Sequence, residues 1–297
     1  MNKQPMLTTW VLPLTLLATT LVSGCQKSYE ASPEKSGSEK SILTDTQDNA
    51  QAPHATAPWV TVWVHGTSMT PISKFHASPA GLRKVKSLSS GYLIKKTIKS
   101  LCAQDPELFN ATHFYTFGWS GKLSPKEREK AAHELNQALE KLVQEYRACG
   151  QTPQIRLITH SHGGNVVLNL ANVAEAGGVS VDELILLACP VQHTTEHLIA
   201  SPRFKKIYAF YSEADVLQVL DPQGMHPRQK GAPGSKAFFS KRYFPAQDNL
   251  IQARVKIKGR APTHVEFIMS HFVQQLPALL KSADSQKESK TPPLVRC

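Results

Sequence analysis

A serine that could act as a nucleophile lies between a predicted strand and a predicted helix. Residues 159–165 read Thr-His-Ser-His-Gly-Gly-Asn, which places the serine at Ser161. The apolar run 155–158 precedes this segment, and an apolar pattern with helical spacing, 166–171, follows it. A sharp turn between strand and helix lifts a serine hydroxyl out of the sheet, and the glycines after it let the helix pack close behind. The pattern predicts acyl transfer with Ser161 as the nucleophile.

An acid and a histidine follow this serine in the chain order that such a site requires. The hydroxyl needs a base to take its proton and an acid to orient the base, and in this kind of site the acid precedes the histidine. Asp215 lies a few residues past a predicted strand, with Asp221 and Glu213 as competing carboxylates. His264 lies on the loop before the last predicted helix. We expect His264 to be the base and Asp215 the acid.

Backbone N–H groups near the serine could stabilise the negative oxygen that forms during acyl transfer. One is the N–H of His162, the residue after the nucleophile, and the second should come from the loop after the first strand. That loop reads His-Gly-Thr at 65–67, and our candidate is the N–H of Thr67. We expect His65 and His160 to support these loops rather than to carry protons.

Strand and helix patterns alternate from residue 59 onward. β-Branched and aromatic runs predict strands at 59–64, 113–117, 155–159, 184–188, 206–211 and 253–257. Apolar residues at helical spacing predict helices at 91–103, 125–146, 166–177 and 265–280. This alternation predicts an α/β fold with a mostly parallel central sheet flanked by helices on both faces. Such sheets hold their functional residues at the carboxyl ends of the strands.

With these motifs the chain resembles the α/β-hydrolase superfamily and, within it, the lipase and serine-esterase branch. The resemblance extends over residues 59–280 and is carried by 64–67 (Val-His-Gly-Thr), 117–121 (Phe-Gly-Trp-Ser-Gly), 159–164, 187–191 (Leu-Ala-Cys-Pro-Val), 212–215 and the His264 loop. It implies the α/β-hydrolase fold, hydrolysis of carboxylic esters and no cofactor. It also implies Ser161 as nucleophile, His264 as base and Asp215 as acid. The family usually has a glycine where this chain has Thr159, whose side chain is bulkier against the crossing helix.

The first 24 residues have the pattern of a bacterial lipoprotein signal peptide. Lys3 gives a positive start, residues 6–22 are mostly apolar, and the segment ends in Leu-Val-Ser-Gly-Cys at 21–25. This ending resembles a lipobox, in which cleavage leaves an acylated cysteine as the first residue. We therefore expect Cys25 to carry fatty acyl chains such as palmitate and to anchor the protein in a membrane. In a Gram-negative cell, Gln26 after the acylated cysteine would be permissive for sorting to the outer membrane, where the protein would face the periplasm; the sequence leaves the type of cell envelope open.

Two segments have a composition that cannot build a hydrophobic core. Residues 25–57 and 282–297 are rich in Ser, Lys, Glu, Gln and Pro and contain few large apolar side chains. The first is predicted to be a disordered tether and the second a disordered tail. Residues 58–281 remain as one α/β-hydrolase domain, which is long enough for a substantial core.

Positive charge favours some partners over others. The formal net charge is +11 and the pI is about 9.4, with basic residues concentrated in 74–99 and 205–260. An exported, tethered protein is not expected to meet nucleic acid, so the charge serves either attraction to anionic lipid head groups or solubility alone. Segments 70–90 and 222–244 are expected to form a pocket rim or lid that favours lipids with phosphate head groups. The expected partners are the membrane and a lipid or small ester substrate; the oligomeric state stays open.

The remaining cysteines leave their pairing open. Cys189 ends an apolar run and is expected to be buried and inert. Cys102, Cys149 and Cys297 are unassigned. A Cys102–Cys149 disulfide would suit an oxidising compartment, but the sequence does not give its geometry.

Two other functions compete with the serine hydrolase. His193, Glu196 and His197 match the H-x-x-E-H pattern of zinc peptidases, although the segment follows a strand directly and reads as a polar loop or lid. Alternatively, the fold could serve as a non-catalytic, membrane-tethered binding protein. The serine-hydrolase hypothesis requires no metal.

Overall fold

The computed structural model describes residues 57–68, 76–173, 178–224, 240–286 and 294–296. The predicted signal peptide, Cys25 and nearly all of the predicted tether lie outside these residues, as do parts of both predicted rim segments. The described residues belong to one unit, Pro53–Cys297. Within them, no helix combines the length and apolar character needed to cross a bilayer.

An eight-stranded sheet forms the centre of the described residues. Its strands are β1 Trp59–Val64, β2 Gly81–Lys84, β3 Phe114–Gly118, β4 Gln154–His160, β5 Glu183–Leu187, β6 Ile207–Tyr211, β7 Leu250–Lys256 and β8 Leu294–Arg296. Their order across the sheet is β2-β3-β1-β4-β5-β6-β7-β8. Every neighbouring pair is parallel except β2 with β3. The predicted mostly parallel sheet is confirmed, and the six predicted strands agree with β1 and β3 to β7 to within three residues.

In the part of the chain that the structure describes, five α-helices cover the two faces of the sheet. They are α1 Leu93–Gln104, α2 Pro125–Ala148, α3 His162–Leu168, α4 Ser270–Val273 and α5 Leu276–Gln286. Short 3₁₀ helices lie at Val85–Ser87, Ala111–His113, Asn169–Asn172, Glu196–Ala200 and His264–Ile268. Side chains alternate along β1, so that Val62 faces a core with α2 and α3, whereas Trp63 faces a core with α1, α4 and α5. Two cores therefore fix the central strands from both sides.

The end of the domain differs from the sequence prediction. The predicted helix 265–280 is divided into a 3₁₀ helix, α4 and α5. Pro277 has no N–H to donate and so cannot continue a helix from the preceding turn, which explains a new start at α5. The disordered tail 282–297 is wrong for residues 282–286, which extend α5, and for β8. Apolar burial explains the extension, because Ala283 is fully buried in the core beside Leu279.

The structure differs from the sequence predictions, or adds to them, at three further places. The helix predicted for 166–177 is α3 followed by a 3₁₀ turn that ends at Asn172, in a stretch whose asparagines are poor helix formers. β2 was not predicted, because an edge strand with a half-exposed sequence lacks the apolar run of a central strand. Cys102 is a free, buried thiol, so the Cys102–Cys149 disulfide does not form.

Candidate active site

Ser161 occupies a strained turn between β4 and α3. Its φ of 53° and ψ of −134° lie in a region that residues with a side chain rarely adopt. The Ser161 N–H donates to the carbonyl of Leu187 at 2.9 Å, which ties the turn to the end of β5. The hydroxyl does not cap the helix that it precedes. Thr159, where the resembled family usually has glycine, is fully buried and its hydroxyl donates to the Ile185 carbonyl at 3.3 Å.

Close backbone contacts hold the loop after β1 against this turn. A Cβ on Gly66 would lie 2.9 Å from both the His160 carbonyl oxygen and the Ser161 Cβ. A Cβ on Gly163 would lie 2.6 Å from the carbonyl oxygens of Val64 and His65. Both positions therefore require glycine for space, and their contacts bring the β1 loop beside the serine.

We expect Gly163→Ala to lower the free energy of unfolding by about 1–3 kcal/mol, because backbone atoms cannot move aside as side chains can. Urea unfolding measures this change. Gly91→Ala is the matched control, since a Cβ there would meet nothing nearer than the Ser89 hydroxyl at 4.0 Å. Equal stability of the two variants would show that α3 does not need this close approach.

His264 and Asp215 are in direct contact. The His264 Nδ1 lies 2.7 Å from the Asp215 Oδ2. Asp215 is fully buried, and its other carboxylate oxygen accepts the Gln218 N–H at 2.9 Å. This bond makes Nδ1 the donor, so the second ring nitrogen of His264, Nε2, can accept a proton.

The two competing carboxylates have other partners. Asp221 accepts hydrogen bonds from the Gln192 amide at 2.6 Å and the Ser240 hydroxyl at 2.8 Å. Its imidazole neighbour is His162, whose Nε2 lies 3.6 Å from Asp221 Oδ1. Glu213 forms a largely exposed ion pair with Arg254. Of the three carboxylates, Asp215 is therefore the one positioned to orient His264.

A cavity of about 390 Å³ joins the site residues. The predicted nucleophile, base and oxyanion-hole residues all line it: Ser161, His264, Thr67 and His162. His162 begins α3, so its N–H is among the first-turn donors that have no acceptor within the helix. No sequence pattern had indicated the apolar wall formed by Trp63, Leu123, Leu217, Leu220, Val265 and Ile268. His76 and Pro222 also line the cavity, and they lie in the two segments that were predicted to form its rim, although neither residue was singled out.

His65 and His160 are buried supports of the surrounding loops, as the sequence predicts. His65 Nε2 accepts the Trp119 N–H at 3.2 Å, and its Nδ1 therefore donates to the Gly66 carbonyl at 2.7 Å. Burial lowers the pKa of His65 to about 4. His160 Nε2 donates to the His264 carbonyl at 3.0 Å, and burial, reinforced by His264, lowers its pKa. Both rings are neutral at pH 7.

A buried polar network lies behind His162. Arg128 on α2 donates to the side-chain carbonyls of Gln223 at 2.7 Å and Gln192 at 3.0 Å. Gln192 in turn donates to Asp221, whose charge acts on both Arg128 and His162. Burial, followed by the charge of Arg128, lowers the pKa of His162. The network holds a neutral His162 at the start of α3, and no sequence pattern had linked Arg128 to the site.

The zinc-peptidase motif does not assemble a metal site. Its glutamate, Glu196, begins a 3₁₀ turn and accepts a hydrogen bond from Lys241 at 3.1 Å. His193 Nδ1 lies 3.5 Å from Glu196. Within the described part of the chain, no group of three or more His, Cys, Asp or Glu side chains could hold a metal ion.

Comparison with known proteins finds similarity among solved structures alone. No protein-family model matches the chain, and no curated protein is similar to it. Phospholipase PlaB from Legionella pneumophila in complex with thio-NAD is 17% identical over 44% of this chain and 25% of its own, with a TM-score of 0.30. This chain thus spans a quarter of that phospholipase's length.

Two other solved structures match along most of their own length. The lin2722 gene product from Listeria innocua is 14% identical over 81% of this chain and 98% of its own, with a TM-score of 0.40. An acetylxylan esterase is 12% identical over 77% of this chain and 99% of its own, with a TM-score of 0.36. These values carry no assignment of residues or activity. The parallel sheet, the serine turn after β4 and the loops after β6 and β7 constitute an α/β-hydrolase fold.

Proposed function

We propose that the protein is a serine hydrolase that cleaves carboxylic esters through an acyl-enzyme on Ser161. The observation that carries this proposal is the 2.7 Å contact between His264 and buried Asp215, with His264 lining the same cavity as the strained Ser161. Structural packing alone does not require a buried carboxylate, an imidazole and a strained serine at one cavity. Perturbed backbone geometry and buried charge concentrate at functional sites.

Each residue has a defined role in the proposed reaction. His264 Nε2 takes the proton of the Ser161 hydroxyl as the oxygen attacks the ester carbonyl. The N–H groups of His162 and Thr67 stabilise the resulting oxyanion. His264 then gives the proton to the leaving alcohol, which leaves the acyl group on Ser161. Water next attacks the acyl carbonyl while His264 takes its proton, and His264 returns that proton to the Ser161 oxygen as the carboxylic acid is released. Asp215 accepts the Nδ1–H of His264 and so holds the ring in the tautomer that can accept the serine proton.

The cavity walls favour an apolar acyl group. Trp63, Leu123 and Ile268 line the cavity, and Leu217 and Leu220 extend its apolar surface into solvent with exposures of 60% and 54%. Burial of apolar surface contributes roughly 25 cal/mol per Å², so an alkyl chain gains affinity along this wall. Lipids and small carboxylic esters are the substrates that we propose.

We also propose that the hydrolase is a lipoprotein anchored through acylated Cys25 at the outer membrane. The support is the Leu-Val-Ser-Gly-Cys sequence at 21–25 and the basic net charge. The tether before β1 would then keep the cavity near lipid substrates.

A fluorophosphonate probe, which reacts covalently with activated serines, tests the proposed function. We expect the purified protein to be labelled and Ser161→Ala to be unlabelled, with a loss of ester hydrolysis on the order of 10⁶ in kcat. Ser180→Ala, at an exposed serine away from the cavity, should be labelled like the wild type. A folded wild-type protein that takes up no label and hydrolyses no ester across a range of acyl chain lengths would instead support the non-catalytic binding protein.

A further inference from the structure

His76 is a buried polar group of the cavity wall that the proposed mechanism does not use. It is 6% exposed and lines the same cavity as Ser161 and His264. Neither of its ring nitrogens has a hydrogen-bond partner among the residues that the structure describes. A buried donor or acceptor without a partner costs about 1–3 kcal/mol, so such groups are uncommon unless a ligand completes them.

Four other histidines line this cavity with His76: His65, His160, His162 and the proposed base His264. His160 bonds to the His264 carbonyl, and the two rings are 4.7 Å apart. His76 and His160 both line this cavity, so His76 belongs to the histidines that surround the space for the substrate. The leaving alcohol must accept its proton from His264. The alcohol part of a bound ester therefore lies in the cavity that His76 lines, where a hydroxyl on it can reach the unpartnered ring nitrogens.

The chemistry of the wall selects a neutral hydrogen-bonding group. Burial lowers the pKa of His76, so its ring offers one donor and one acceptor at pH 7. The described residues that line the cavity include no lysine or arginine, and their one carboxylate is Asp221. An anionic group would enter this cavity without a compensating cation. A hydroxyl, which both donates and accepts, complements a neutral imidazole.

We propose that His76 binds a free hydroxyl on the alcohol part of the substrate, so that the enzyme prefers monoesters of polyols to esters of simple alcohols. This inference rests on the proposed function and deepens it. It assigns His76 a part in substrate specificity, with no part in proton transfer.

Two esters with one acyl group in common isolate this contact. Glycerol 1-monobutyrate and propyl butyrate form the same acyl-enzyme, so a difference in kcat/KM reports the alcohol part alone. We expect wild-type enzyme to prefer the glycerol ester about tenfold, the effect of one or two neutral hydrogen bonds. His76→Phe should bring the ratio of the two kcat/KM values close to one.

Two further variants complete the experiment. His76→Asn keeps a donor and an acceptor in a smaller side chain and should retain part of the preference, which also guards against a phenylalanine variant that fails to fold. His133→Phe makes the same substitution at an exposed position of α2 and should keep the wild-type ratio.

The outcomes separate this inference from the proposed function. If the wild type hydrolyses both esters with equal kcat/KM, or if His76→Phe and His76→Asn both keep the wild-type ratio, the role of His76 is refuted while the serine hydrolase stands. If the wild type hydrolyses neither ester and takes up no fluorophosphonate label, both proposals fail.

Discussion

Asp215→Asn is expected to lower kcat for ester hydrolysis by about 10⁴-fold, with the fold intact. The carboxylate accepts the Nδ1–H of His264 at 2.7 Å. An asparagine side chain can present its NH₂ group to Nδ1, which then becomes the acceptor. The ring proton moves to Nε2, and His264 can no longer take the proton of Ser161. Circular dichroism and kinetics with a soluble butyrate ester measure the two parts of this expectation.

Substitutions of the two competing carboxylates test whether the loss of activity is specific to Asp215. Glu213→Gln changes an exposed carboxylate two residues away that contacts Arg254, and it should leave kcat unchanged. Asp221→Asn removes a carboxylate whose charge acts on buried Arg128. It should lower the free energy of unfolding by more than it raises the activation free energy that kcat reports. If Asp221→Asn loses 10⁴-fold and Asp215→Asn keeps its rate, the acid has been assigned to the wrong carboxylate.

The sequence alone does not predict which of these three carboxylates is the acid. The strand before Ser161 and the strand before Asp215 carry apolar runs, and such runs locate strand ends well because both faces of a parallel sheet are buried. Sequence therefore predicts that an acid follows β6. Glu213, Asp215 and Asp221 all satisfy that condition. Their side-chain directions depend on the turn after β6 and on partners distant in sequence, such as Gln192 and Arg254.

The parts of the site that sequence misses share a physical cause. Arg128 lies on α2 and His76 just before β2, far along the chain from the serine turn, and neither belongs to a short motif. Their positions in the site follow from how α2 and the segment before β2 pack in the folded domain. Charge in a helix usually indicates a solvated face, and a histidine within a polar segment carries no periodic signal. What points to a role for both residues is the burial of a polar side chain, and a local sequence pattern does not predict that burial.

The buried histidines also predict a strong acid sensitivity of the fold. Burial lowers the pKa values of His65, to about 4, and of His160 and His162. The unfolded chain binds these protons near pH 6.5 and the folded protein does not, so stability rises with pH across this range and is lost as pH falls below about 6.5. Each histidine contributes a slope of up to about 1.4 kcal/mol per pH unit, and the three together contribute a slope of up to about 4 kcal/mol per pH unit. Urea unfolding between pH 7.5 and pH 5 should show this loss.

One substitution can show how much of the pH dependence of the free energy of unfolding comes from His65. His65→Gln can keep a donor to the Gly66 carbonyl or an acceptor for the Trp119 N–H, but it has no titrating ring. The variant should be less stable at pH 7, and its free energy of unfolding should fall less steeply with acid, by up to about 1.4 kcal/mol per pH unit. His133→Gln, at an exposed position, should keep the wild-type slope.

The pH window of this experiment, above pH 5, excludes the titration of Glu266. The side-chain hydrogen bond from Arg260 lowers the pKa of Glu266 to about 2, so that this group titrates at lower pH. A free energy of unfolding that stays constant from pH 7 to pH 5 would mean that these rings are not buried in the neutral form, and the support they give to the serine and β1 loops would need another explanation.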